Sequence, residues 1–161
     1  MTTASSLPGV LALAAGIGIV AGLRAMTAPA AVSWAACLGW LDLQGSPLAF
    51  MGSGIAVAIF SLLAVFEYVA DVLPRTPNRT KPGPLIGRII LGGLAGACIS
   101  VSGGQSLLAG ALLGGAGAVI GAFAGYEARR RLVESLKVKD LLIAIPEDLV
   151  AIGLAYLFVS Q

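Results

Sequence analysis

An all-α integral membrane bundle of about six segments is the fold this sequence predicts, on three observations. Only 11% of its 161 residues are charged while 58% are hydrophobic, with a mean hydropathy of +0.96. An ordinary soluble domain is about 25% charged. Apolar runs approaching the ~20 residues that cross a ~30 Å hydrocarbon core recur from end to end. The Lys and Arg residues gather in a few connecting segments rather than being spread along the chain. Together these exclude a soluble globular enzyme, a disordered chain and a nucleic-acid binder. The net charge of +2 is too small to imply an anionic partner. A single transmembrane domain over residues 1–161 is expected at this length.

The first candidate span is Leu7–Leu23 and the second Ala25–Leu41, separated only by Arg24. No basic side chain precedes the first run, so it reads as a retained span rather than a signal peptide. The pair reads either as two tilted spans or as a re-entrant hairpin. About 17 residues cover only ~25 Å as helix, which calls for local thinning or burial inside the bundle. Asp42–Pro47 (DLQGSP) is a turn, and Leu48–Ala70 a long, clean third span. Pro74–Pro84 carries four prolines in eleven residues and reads as a loop throughout. Leu85–Val101 is the fourth span, Ser102–Gln105 a tight turn, and Ser106–Tyr126 the fifth span. Arg129–Lys139 reads as a basic helix extension outside the hydrocarbon. The last span, Leu141–Val159, carries Pro146, Glu147 and Asp148 near its start.

In the six-span reading all ten Lys and Arg fall on one side. The positive-inside rule then makes the basic loops 74–84 and 129–139 cytoplasmic and puts both termini outside. Trp40 and Tyr156 fall near the outer interface, Tyr68 and Tyr126 near the inner one. Three spans per half give opposed halves, 7–73 and 84–159, arranged as a 3+3 inverted repeat of the kind many transporters use; Gly/Ala/Leu-rich helices also look alike by composition alone.

Glycine carries the packing signal. Gly110, Gly114, Gly117, Gly121 and Gly125 form a stripe on the fifth segment, with Gly92 and Gly96 on the fourth and Gly18 and Gly22 on the first. Such stripes let helix backbones approach closely in lipid. They serve either packing within the chain, as a glycine zipper between its own helices, or a homo-oligomer interface. Cys37 and Cys98 both lie in apolar stretches and read as small buried hydrophobes. The absence of His removes imidazole metal sites and His proton relays.

Charges inside spans are costly and mark function or pairing. Glu67 and Asp71 share a helix face, and Arg75 continues it one turn later. That ladder explains Asp71 at an interface better than it explains Glu67, which lies about 10 Å further up the helix. Glu147 and Asp148 follow Pro146 as at a helix start. Either they cap a helix at the interface, or the helix breaks inside the membrane and presents both carboxylates to a cavity. Arg24 either snorkels to the inner interface or pairs with Glu67 or with Glu147 and Asp148. Arg88 stands ready to pair with Asp71 or to bind a phosphate. Glu127 reads as a solvated interface residue.

In order along the chain stand Gly22-Leu23-Arg24-Ala25, then Phe66-Glu67-Tyr68-Val69-Ala70-Asp71-Val72-Leu73-Pro74, a glycine-rich central pair of segments, and Glu147-Asp148-Leu149. This resembles the bacterial domain of unknown function 4126 family of small multi-pass membrane proteins, over nearly the whole chain. Ile145-Pro146 departs from the plain Leu-Leu run expected before the acidic pair. The resemblance carries no activity; it implies that Arg24, Glu67, Asp71, Glu147 and Asp148 are the marked positions.

The expected function is a small transporter or channel of the bacterial inner membrane, not an enzyme and without a cofactor. Glu67, Asp71, Glu147 and Asp148 would bind a proton or a cation, with Arg24 and Arg88 as counter-charges or anion contacts. Oxygen ligands suit H⁺, Na⁺, Mg²⁺ or Ca²⁺ rather than soft metals; which metal, if any, is left open. The expected partners are the lipid bilayer, a small ion or solute, and a second copy of the chain. The alternatives are a scaffold whose charges fix helix register, and a lipid-phosphate binder or flippase using Arg24 and Arg88.

Overall fold

The computed structural model describes residues 6–71, 81–136 and 140–161, and the side chains of all of these except 71, 136 and 140–144. Among the described residues the fold is all-helical: α1 Leu7–Leu23, α2 Thr27–Cys37, α3 Gly54–Asp71, α4 Pro82–Ser102, α5 Leu107–Leu136 and α6 Asp140–Val159, with a 3₁₀ turn at Ala49–Gly52. Two stretches, Pro82–Ser102 and Leu107–Ser135, are long and apolar enough to cross a membrane, and the apolar helices Leu7–Leu23 and Gly54–Ala70 are shorter.

Helix ends follow local chemistry. Pro8 falls in the first turn of α1, where a missing N–H costs nothing. The Ser53 hydroxyl caps α3 by accepting the Ala56 N–H at 3.1 Å. Gly39 and Gly104 take the positive φ that ends the helices before them, at 78° and 68°.

Three expectations are corrected here. The second apolar run is helical only over Thr27–Cys37, 11 residues or about 16 Å, because the chain turns at Gly39 although hydropathy continues to Leu41. Helix α4 starts inside the proline-rich stretch, at Pro82, since proline is well suited to a first turn. Helix α6 runs unbroken through Pro146 from Asp140, so Glu147 and Asp148 sit two turns inside it and cap nothing. Pro146 lies inside the helix, where it lacks the N–H for one i→i−4 bond, and the helix continues on either side of it. Cys98 is buried as expected, whereas Cys37 is exposed at the end of α2.

The centre is the trio α1, α4 and α5, which pack on one another more extensively than any other helices. Glycine makes this possible. A Cβ on Gly18 would overlap the carbonyl group of Gly114, one on Gly121 that of Ile19, one on Gly117 that of Ala15, and one on Gly96 that of Gly110. The stripe on α5 therefore faces α1 and α4 within the same chain. Gly125 is buried too. Helices α1 and α5 run parallel, and α4 runs against both, as the pairings Gly18–Gly114, Gly22–Ala118 and Gly96–Gly110 require. Around this trio lie α2, α3 and α6, with α3 packed chiefly on α2.

By contrast, Gly153 on α6 has open space where its Cβ would be. Gly153→Ala is expected to raise the unfolding midpoint, by removing a helix-interior glycine worth about 0.5–1 kcal/mol. A destabilised Gly153→Ala in thermal unfolding would show that a neighbour lies against this face.

The bundle has two chemically different ends. At one, the Asp42 N–H donates to the Ser102 hydroxyl at 3.0 Å, and Trp40 meets Tyr156 edge-on at 5.9 Å. At the other lie the start of α2, the ends of α1 and α3 and the starts of α4 and α6, with every described Lys and Arg.

Candidate functional site

Between α1 and α2 the chain leaves the helix for three residues. Arg24 is extended, at φ −139° and ψ 108°. The start of α2 has no acidic residue in its first turn and no side-chain cap of its own. A helix start exposes N–H groups that need acceptors. The acceptor comes from another helix: Glu67, on α3, takes the Ala25 N–H on Oε1 and the Met26 N–H on Oε2, each at 2.9 Å. The carboxylate also gains from the positive end of the α2 dipole. Its side chain is 15% exposed, and Arg88 of α4 stands 3.8 Å from Oε1, a charge contact rather than a hydrogen bond.

Arg24 does not snorkel. Its side chain is 1% exposed and forms an ion pair with Asp148 on α6. Its guanidinium also lies over the Tyr68 ring, 5.3 Å from the centroid, a stack that suits a planar, weakly hydrated cation. The Tyr68 hydroxyl shares a 2.7 Å hydrogen bond with Thr27 at the start of α2. The residue before Asp148 on α6, Glu147, pairs with Arg129 of α5 at 3.5 Å.

The sequence-derived residues thus divide. Arg24, Glu67, Arg88 and Asp148 gather around the break between α1 and α2. Glu147 is engaged separately, by Arg129. The Asp71 side chain, and with it the Glu67–Asp71–Arg75 ladder and an Arg88–Asp71 pair, falls outside the described residues. Glu127 stays at the surface, paired with Arg130 at 3.0 Å and Arg131 at 2.7 Å. Among the described residues no three acidic or thiol groups converge as a metal site would need.

Thr27, Tyr68 and Arg129 belong to this region and are not singled out for it by sequence reasoning. Tyr68 follows Glu67 directly, and Thr27 lies three residues past Arg24, so adjacency to charges was the available signal. Arg129 carried no such mark among its basic neighbours.

The arrangement has a definite chemical capacity. Charges from α3, α4 and α6 meet Arg24 and the backbone of the break before α2. Neutralising Glu67 would weaken its hold on the start of α2, and neutralising Asp148 its hold on Arg24.

A family model described as a domain of unknown function (DUF4126) matches residues 11–160. No curated protein and no solved structure matches the chain.

Proposed function

We propose that this chain, which belongs to the DUF4126 family of unknown function, is a small multi-pass membrane protein that moves a proton or small cation. The network around Arg24 and Glu67 is its gate, shut in this conformation. The membrane reading is supported by the outward face of α3, where Ile55 is 74% exposed and Leu62 and Phe66 each 70%. A soluble monomer seldom exposes contiguous apolar surface on this scale. The basic loops then face the cytoplasm.

The gate reading is carried by one observation: α3 is joined to the rest of the basic end through Glu67 and Tyr68. Buried ion pairs are poor stabilisers compared with apolar packing, and charges within membrane segments are kept mainly where they work. A proton on Glu67 would weaken its hold on the α2 start and on Arg88. Helix α3, packed chiefly on α2, would then be free to swing. A helix interrupted beside an ion site is also how many secondary transporters are built. A proton suits this site better than a divalent ion, because a proton needs one carboxylate and no three acidic or thiol groups converge among the described residues.

A flux assay tests this. Proteoliposomes with a trapped pH dye are expected to dissipate a proton gradient faster than protein-free ones. Glu67→Gln and Asp148→Asn should slow this at least tenfold. Unchanged flux in both variants would remove the carboxylates from the mechanism, and wild-type flux no faster than empty liposomes would remove transport.

A scaffold is the second reading, favoured by the pairing of Glu67, Glu147 and Asp148 with arginines. It predicts that the same two variants lower the unfolding midpoint while no flux is seen in any form.

A further inference from the structure

Helix α3 is held differently along its two halves. Near its start Ala56 and Val57 are buried, and Phe60 packs against the core. From Ser61 to Ala70 only Ala64 is buried. Polar groups tie this far half to α2 instead. The Trp34 indole N–H donates to the Ser61 hydroxyl at 3.0 Å, the Tyr68 hydroxyl shares its bond with Thr27, and Glu67 takes the two N–H groups before α2.

The near end has a fixed point and a joint. Met51, in the 3₁₀ turn that packs on α2, is fully buried. That turn closes with the Ser53 N–H on the Phe50 carbonyl at 3.0 Å, and α3 opens with the Val57 N–H on the Ser53 carbonyl at 3.1 Å. The Ser53 hydroxyl also bonds forward, to the Ala56 N–H. Among the described residues no backbone hydrogen bond therefore crosses the Ser53 Cα. Its φ and ψ, −76° and 147°, join two pieces that are each bonded internally.

Hinges are commonly a few residues at the end of an element that absorb a change in φ and ψ. Glu67 lies about 21 Å along the helix from this joint, so a turn of about 15° there displaces it by about 5 Å. In lipid such a turn sacrifices little, since hydrocarbon replaces the neighbouring helix as an apolar contact.

The geometry points to α3 as an arm that pivots at Ser53 and is latched along α2 by Ser61, Glu67 and Tyr68. Releasing Glu67 swings the basic end of α3 while the other end stays in place. This rests on the gate reading for the part Glu67 plays, and adds the axis of the motion and the Ser61 tie.

The test measures distances between spin labels on the full chain in lipid nanodiscs, in a Cys37→Ser, Cys98→Ala background. Labels at Phe66 and Ile120 report the basic end, and labels at Ile55 and Leu108 the other; all four positions are exposed, and α5, which carries Ile120 and Leu108, belongs to the central trio. Glu67→Ala is expected to shift the Phe66–Ile120 distance by about 5 Å, while Ile55, about 3 Å from the joint, moves by less than about 1 Å. Glu67→Gln keeps one acceptor and should show the same shift in a smaller fraction of molecules; it serves where the alanine variant does not fold. Adding Gly54→Pro should suppress the shift in either background. Proline suits the first position of α3, where Gly54 has open space around its Cβ position. It also confines the residue before it to the extended region that Ser53 already occupies.

A Phe66–Ile120 distance unchanged in both Glu67 variants overturns the proposal. Equal shifts at the two ends mean that α3 leaves as a whole, and overturn the pivot. A shift that Gly54→Pro does not reduce puts the joint elsewhere and overturns it too. Flux is read separately: a swing without flux sustains this proposal and removes the gate, whereas flux without a swing removes the pivot and sustains transport.

Discussion

Asp148→Leu is expected to cost the folded chain about 3–5 kcal/mol, the usual penalty for removing one partner of a buried ion pair. The reason lies with the partner left behind. The Arg24 side chain is 1% exposed, so its charge cannot turn to water when the Asp148 carboxylate is gone. It cannot shed its proton either, since a guanidinium stays charged in proteins. The measurement is the thermal unfolding midpoint of purified protein in detergent. Asp148→Asn should do less harm, because an amide oxygen still accepts from the guanidinium. Arg24→Lys should not preserve wild-type stability, although it keeps the charge, because an ammonium lacks the planar face that lies over Tyr68. A wild-type midpoint for Asp148→Leu would mean that Arg24 reaches solvent.

Gly121→Leu carries the second large effect. A Cβ there would overlap the Ile19 carbonyl, which is backbone and cannot turn aside. Gly117→Leu meets the Ala15 carbonyl in the same way. Over-packing a core with a few extra methylenes costs about 1–3 kcal/mol when side chains can adjust. Here two helices would have to separate along their whole contact, so the loss should exceed that range and leave little folded protein. In lipid the effect is sharper still, because close packing takes over from the hydrophobic effect as the force between helices. Gly115→Ala is the internal control: its nearest neighbour is an Ile89 methyl at 3.4 Å, an ordinary contact. If Gly117→Leu or Gly121→Leu kept wild-type stability and assembly state in size-exclusion chromatography, α1 and α5 would not be packed as described.

The helices were legible in the sequence wherever one period governed them. The spacing of the glycines named the face of α5 that packs, and the hydropathy runs located α1, α4 and α5 to within a few residues, whereas the run Leu48–Ala70 starts six residues before α3, across the 3₁₀ turn Ala49–Gly52. Helix ends were less legible. Leu38–Leu41 is as apolar as the helix before it, and only the backbone at Gly39 ends α2. Pro146 looks like a helix start because proline is common there; its helix begins six residues earlier, in a stretch whose composition hides the boundary.

The candidate site was half legible for a different reason. A charge in an oily segment is visible in one dimension, and Arg24, Glu67, Arg88 and Asp148 all stand out. Their partners are not visible, because pairing depends on how the helices fold back. Arg24 and Asp148 are separated by nearly the whole chain, and Glu67 caps a helix that precedes it by forty residues. Thr27 and Tyr68 carry no charge, so only their closeness in sequence to Arg24 and Glu67 marked them for the site.

A double-mutant cycle on Arg24 and Asp148 tests most directly whether charges from distant parts of the chain meet at the break between α1 and α2. Unfolding midpoints would be compared for Arg24→Leu, Asp148→Leu and the pair together. Contact predicts a coupling of about 2–3 kcal/mol, with the double variant more stable than Asp148→Leu alone, because neither charge is then left buried without the other. Losses that simply add would place the two side chains apart and contradict the account.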